Sequence, residues 1–330
     1  MHKNRTFWCK KGFVGSSFGY FFEKNSDFCK KRIIIFENLS IRHILFKFVL
    51  YNNYNCDFKK GEFEVSRKSS VDLLMYITYA GAGTATLLSA TATAFSYDKG
   101  ANYFTTNSIL FPLSAVVAIL TFALAIVTAL VTPKESLVTS SPFGANLVVA
   151  LPAAIGFGIG AIFSALEFAK SNSTLFLVAA VLLLLSAAHV LLCETERKSS
   201  LLGFIPPVAC ALLIAILYFD FSLEMNAPMK VVAQCALLPL MLYFTTELRY
   251  LLERELPRLY LALALGSIAA ASLCVLAIPV ACLMGALENT NCLASSLVVI
   301  GTNITILLKL KRYLQPTPSP ENDTKETDAQ

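Results

Sequence analysis

The sequence predicts an all-α fold, a polytopic membrane bundle of about eight transmembrane helices with both termini on the cytoplasmic side. Three observations predict it. Of 330 residues, 56% are hydrophobic and only 15% charged, where a soluble domain carries about 25% charged residues. From Val71 onward, apolar runs long enough to cross a bilayer recur between short loops. The Lys and Arg residues alternate from loop to loop, as an even number of crossings requires.

The register is set by Tyr218–Tyr260. A turn-forming segment with Asp220, Glu224, Asn226 and Pro228 comes first. A run from Val231 to Phe244 follows, apolar but for Gln234. Glu247, Arg249, Glu253, Arg254, Glu255 and Arg258 then form a charged cluster. An acidic loop on one side and arginines on the other orient this span. The remaining runs fall into phase with it at about 72–96, 108–132, 145–169, 174–193, 201–221, 230–250, 259–286 and 293–313. One set of ends holds Arg67, Lys68, Lys134, Arg197, Lys198, Arg249, Arg254, Arg258, Lys309, Lys311 and Arg312, and the other only Lys99, Lys170 and Lys230. The richer side is the cytoplasmic one, which places the protein in the plasma membrane with both ends inside.

Residues 1–70 differ from the rest. They hold 14 Lys/Arg against 6 Asp/Glu and contain no Ala, Pro or Gln. Residues 71–330 hold 13 against 16. The basic balance therefore belongs to the N-terminal segment and implies no nucleic-acid partner. Its apolar stretches are broken by Lys and Arg, so none reaches spanning length. Three readings fit: a small cytoplasmic domain, a basic arm on the membrane surface, or a translated upstream region. Richness in Phe, Lys, Asn and Ile, the products of A/T-rich codons, favours the third. The segment is expected to lie outside the membrane fold of 71–313. The tail at 314–330 is acidic and rich in Pro, Ser and Thr, a composition that predicts disorder.

The nine cysteines form no CxxC, and none has a histidine at metal-ligand spacing. No metal, cofactor or catalytic motif is expected. Gly156, Gly158 and Gly160 form GFGIG inside a membrane span, where a dinucleotide fingerprint has no strand to follow. Gly156 and Gly160 instead make a GxxxG, a surface for close helix packing. Pro112, Pro152, Pro206, Pro207, Pro239 and Pro279 are read as helix kinks or starts. His189 lies near a span boundary with no partner visible in the sequence, four residues before Cys193. Arg249 and Glu253, with Glu255 and Arg258, have the spacing of helical ion pairs. The polar-ligand candidates are Asp220, Glu224, Asn226 and Gln234, with Asp98 and Glu167 as further acids of an outer vestibule. The bland reading of the same loop is a cap for the sixth helix, with Pro228 in its first turn.

The segments MNAP at 225–228, ELRYLLERELPRLYLALA at 247–264 and YDKG at 97–100 are similar to those of an uncharacterised group of multi-pass membrane proteins from Gram-positive bacteria. The resemblance covers residues 71–313, implies a bacterial cell-membrane protein and brings no function with it.

The expected function is non-catalytic: a scaffold, sensor module or partner subunit in the lipid bilayer. A membrane-protein partner and a homo-oligomer both stay open. The alternative is a small-solute or ion transporter with the acidic outer vestibule. Against it, the span centres hold almost no charge, while coupled transporters need carboxylates there.

Overall fold

The computed structural model describes residues 60–313 except 99, 106–107, 133–142, 145, 196–199 and 255, with residues 60–70 described by backbone alone. The expectations for residues 1–59, the tail 314–330, Lys134, Arg197, Lys198 and Glu255 lie outside the described residues. By its internal packing the chain divides into Met1–Ser66 and Arg67–Gln330, and the bundle belongs to the second unit.

The described elements are α1 (Lys60–Ser96), a short hairpin of β1 (Tyr97–Asp98) and β2 (Tyr103–Phe104), α2 (Leu110–Val131), α3 (Leu147–Ser171), α4 (Thr174–Cys193), a 3-10 turn (Leu202–Phe204) leading into α5 (Ile205–Phe219), α6 (Pro228–Leu251), α7 (Pro257–Ala271), α8 (Ala277–Leu283) and α9 (Thr290–Tyr313). Seven of these segments, α1 to α6 and α9, are long and apolar enough to cross a membrane. The fold is all-helical apart from the two-residue strands.

Burial separates outer helices from central ones. In α2 and α4, only 33% of the most apolar stretch is buried within the protein, against 61% in α6 and 67% in α9. The corresponding stretch of α1 is 28% buried, the least of the seven, so outer position does not follow apolarity alone. The helices carrying Glu247, Lys309 and Asn303 are central, where protein partners replace water. Helix α9 packs on α3, α6, α7 and α8, and the helices α3 to α7 pack in chain order. Helix α7 then closes on α2.

Close approach of α3 and α9 depends on glycine. A Cβ at Gly156 would lie 2.8 Å from the Leu297 carbonyl oxygen, and one at Gly301 would overlap that of Pro152. Gly160 faces Val298 in the same way. The GxxxG surface is thus used inside the bundle. Pro152 lies inside α3, and the next residue's backbone amide, Ala153 N–H, donates across the crossing to Thr305 Oγ1 at 3.0 Å.

Two sequence expectations change. The seventh span, expected at 259–286, is divided: α7 stops at Ala271, and α8 begins at Ala277 after a turn. Pro279 has no N–H for the Val275 carbonyl and its ring crowds that oxygen, so a continuous ladder is interrupted there. Carbonyls at the break find hydroxyls on neighbouring helices. Ser89 Oγ donates to Ser272 O at 3.2 Å, and Ser296 Oγ to Cys274 O at 3.4 Å. The first membrane-length segment, Val71–Ser96, lies where it was expected, and its helix α1 extends back to Lys60. Arg249 and Glu253 do not share a helix. α6 ends at Leu251, Glu253 is left-handed at φ 57°, and Arg254 N–H returns to Arg249 O at 2.9 Å. This is a Schellman turn, and it carries Glu253 off the face that Arg249 occupies. The cap position of α6 is Ala227, next to Asn226, and Pro228 opens the helix as expected.

Candidate functional site

Polar side chains collect at the two ends of the bundle. One end is where α3 and α5 finish and α6 and α9 begin. There the Asp220 carboxylate is the centre of a clasp. Its Oδ2 accepts from Asn289 Nδ2 at 2.8 Å and Asn291 Nδ2 at 2.6 Å. Its Oδ1 accepts from the Ser222 backbone N–H at 3.0 Å and from Ser222 Oγ at 2.7 Å. Partial burial pushes the Asp220 pKa up, but the hydrogen bonds from Asn289, Asn291 and Ser222 outweigh it and hold the carboxyl below the ordinary aspartate value. The buried Lys230 donates to the Asp220 backbone oxygen at 2.7 Å. Glu167 lies beside this clasp, accepting from Thr290 Oγ1 at 2.7 Å and Lys170 Nζ at 2.9 Å. Asp220, Glu167, Lys170, Ser222, Glu288, Asn289, Thr290 and Asn291 line an open cleft of about 490 Å³, whose wall is completed by Phe176, Ile216 and Phe219.

The four ligand candidates divide into separate places. Asp220 lines the cleft. Glu224 and Asn226 instead meet Tyr103 of the hairpin. Tyr103 O–H donates to Glu224 Oε2 at 3.0 Å and contacts Asn226 Oδ1. Gln234 is half-buried on α6, and no hydrogen bond among the described residues joins it to the other three. Asp98 stabilises its own turn, accepting from Gly100 N–H at 2.8 Å. Among the described residues no group of three His, Cys, Asp or Glu is arranged to hold a metal ion.

The opposite end holds a network that the sequence reading missed. Glu247 of α6 and Lys309 of α9 are both buried and meet at 2.7 Å. Glu247 Oε1 also accepts from Tyr243 O–H at 2.5 Å. Tyr243 and Tyr260 hydroxyls meet at 3.1 Å, as do those of Tyr250 and Tyr313 at 3.0 Å. Lys309 lies 3.9 Å from Glu194, at the end of α4. Glu194 takes both arms of Arg312, at 2.8 and 3.1 Å. Among the described residues, two carboxylates and two cations form a neutral set joining α4, α6 and α9. The chain matches no protein-family model, no curated protein and no solved structure. The site is therefore described from its own geometry.

Each charge in this network has a partner able to offset its desolvation, the condition for burying ions at all. The Lys309 ammonium also lies 5.2 Å from the centre of the Phe143 ring, and Gly144 N–H donates to Glu194 at 3.3 Å. His189, which had no visible partner in the sequence, lies 3.3 Å from Cys193 Sγ through Nε2, and both are buried. A signal for Glu247 did exist. Tyr243, Glu247 and Tyr250 fall at i, i+4 and i+7 on one helical face, an aromatic stripe too apolar for a solvated charge.

Proposed function

We propose that this chain is a non-catalytic integral membrane protein, a scaffold, sensor module or partner subunit, resident in a bacterial plasma membrane. In this reading it crosses the bilayer eight times, α7 and α8 together making the seventh crossing, and both termini are cytoplasmic. Membership in the Gram-positive group of multi-pass proteins is part of the same proposal. The observation that carries it is the neutral Glu247–Lys309 and Glu194–Arg312 set. A coupled transporter keeps an exchangeable carboxylate, but these two are each held by a cation inside the bundle. Such a set favours one fixed arrangement of α4, α6 and α9. The test is flux from proteoliposomes with an internal pH dye and a panel of alkali and divalent cations. No protein-dependent flux is expected. Flux abolished by Glu247→Gln would overturn the reading.

A second reading, transport of a small solute or cation, is favoured by the polar cleft beside Asp220 and by the divided α7–α8 crossing, since broken helices line transporter sites. The Asp220, Glu224, Asn226 and Gln234 candidates belong to this reading. It predicts a cation-specific rise in thermal stability that Asp220→Asn with Glu224→Gln removes. Orientation is tested by impermeant thiol labelling of single cysteines on a background lacking native ones. Labelling in intact cells is expected at Ser222 and Asn289 and not at Ser199 or Ser319.

A further inference from the structure

We propose that the groove between α3 and α9 is a binding site for one acyl chain of an anionic phospholipid, with Lys311 at its mouth holding the headgroup phosphate. The groove has a volume of about 440 Å³, and its banks include Val148, Ile155 and Ile159 on α3 and Leu297, Ile304 and Leu308 on α9. Its origin is the glycine crossing. Gly156 and Gly301 bring the two backbones together, so the bulky side chains on either side splay and leave a channel above the contact.

The dimensions select the occupant. From Val148 to Ile159 the groove follows α3 for about 17 Å at the helical rise. That is about half of the ~30 Å hydrocarbon core, the depth of one leaflet. It starts where α3 begins and α9 finishes, and it ends near mid-bundle. The lining is almost wholly apolar, as a lipid tail requires.

Charge complementarity selects the headgroup. Leu297, Gly301, Ile304, Leu308 and Lys311 follow one another at three- and four-residue steps, a single stripe of α9. Lys311 is exposed and lies one turn beyond the last groove residue. Among the described residues no carboxylate lies within 4.0 Å of it, whereas Lys309 and Arg312 are each held by Glu247 or Glu194. Lys311 is thus the α9 cation left for an external anion. A second copy of the chain fits this surface less well. Close membrane-helix pairing uses small residues, and here the glycines are already covered by each other's helices.

The test is native mass spectrometry of the full chain in neutral detergent with equal phosphatidylglycerol and phosphatidylcholine. The wild type should retain a lipid and prefer phosphatidylglycerol. Lys311→Gln should lower that preference about 5-fold, the effect of one cation near an anionic surface. Ile304→Trp, which fills the channel, should abolish retention of both lipids. Leu184→Trp, on the exposed face of α4, should leave it unchanged. If Ile304→Trp does not fold, Leu151→Trp on the facing bank replaces it. Equal retention in the groove-filled and α4 variants overturns the proposal, as does an unchanged lipid preference in Lys311→Gln. A wild-type dimer that Ile304→Trp dissociates would show a second copy as the occupant, and overturns it too.

Discussion

Replacing Lys309 by Met tests the buried network most directly. The side chain's length is nearly kept, and its charge is lost. Glu247 would keep the Tyr243 hydroxyl at 2.5 Å and lose the ammonium at 2.7 Å. Glu194 would keep both arms of Arg312, so the uncompensated charge falls on Glu247 alone. Removing one partner of a buried pair costs about 3–5 kcal/mol. Glu247→Gln should cost less, about 1–3 kcal/mol, because Lys309 retains Glu194 at 3.9 Å. The double variant leaves neither charge stranded, so its cost should fall short of the sum of the two singles by about 2 kcal/mol. The assay is reversible unfolding in mixed micelles with increasing SDS, run as a double-mutant cycle. Burial also shields the pair from salt, so the coupling should persist from low to high ionic strength. A Lys309→Met cost below about 1 kcal/mol, or strict additivity, would refute the burial argument, because those are the properties of a solvated pair.

Gly301→Ala should destabilise the protein by about 1–3 kcal/mol, since the new methyl meets the Pro152 carbonyl, whereas Gly158→Ala has open space and should be neutral in the same thermal unfolding assay. Asp220 gives a pH signature. Its carboxyl titrates below the ordinary aspartate value in the folded protein, so its contribution is complete above pH about 4 and is lost as pH falls through the lowered native value. The stability gap between wild type and Asp220→Asn should therefore be constant from neutral to mildly acidic pH and close only below that. A gap that closes around neutrality would point to a different group.

Most of the helical plan was legible because bilayer spanning imposes length and apolarity on each segment separately. Those are local properties, and a run such as Leu110–Val131 shows them without reference to any other. The division of the seventh span was half visible. Pro279 marked it, but proline is common in membrane helices, and the hydroxyls that accommodate the break come from Ser89 and Ser296 on other helices. The network at the end of α6 was hidden for the same reason. Glu247 and Lys309 lie 62 residues apart, and Glu194 and Arg312 lie 118 apart. In the sequence each stands within or beside a group of boundary charges of the kind that water or headgroups solvate. The candidate site was legible only in part. Asp220 was found, but its amide partners, Asn289 just before α9 and Asn291 in its first turn, carried no signal of their own.

The central position of α9 has a consequence for how the protein is made. Helix α9 is the last of the described helices to leave the ribosome, yet α3, α6, α7 and α8 all pack on it. Between the end of α3 at Ser171 and the end of α9 at Tyr313, synthesis at ~5–20 residues per second takes about 7–28 s. Through that interval the Gly156 surface lacks the helix that covers it, and Glu194 and Glu247, once made, wait without their cations until α9 follows. The earlier helices can insert one by one, but the bundle cannot close from its N-terminal side. Its assembly is gated by the arrival of the final helix, and a chain that stalls before Lys309 presents two unmatched acids to whatever surveys membrane proteins for damage.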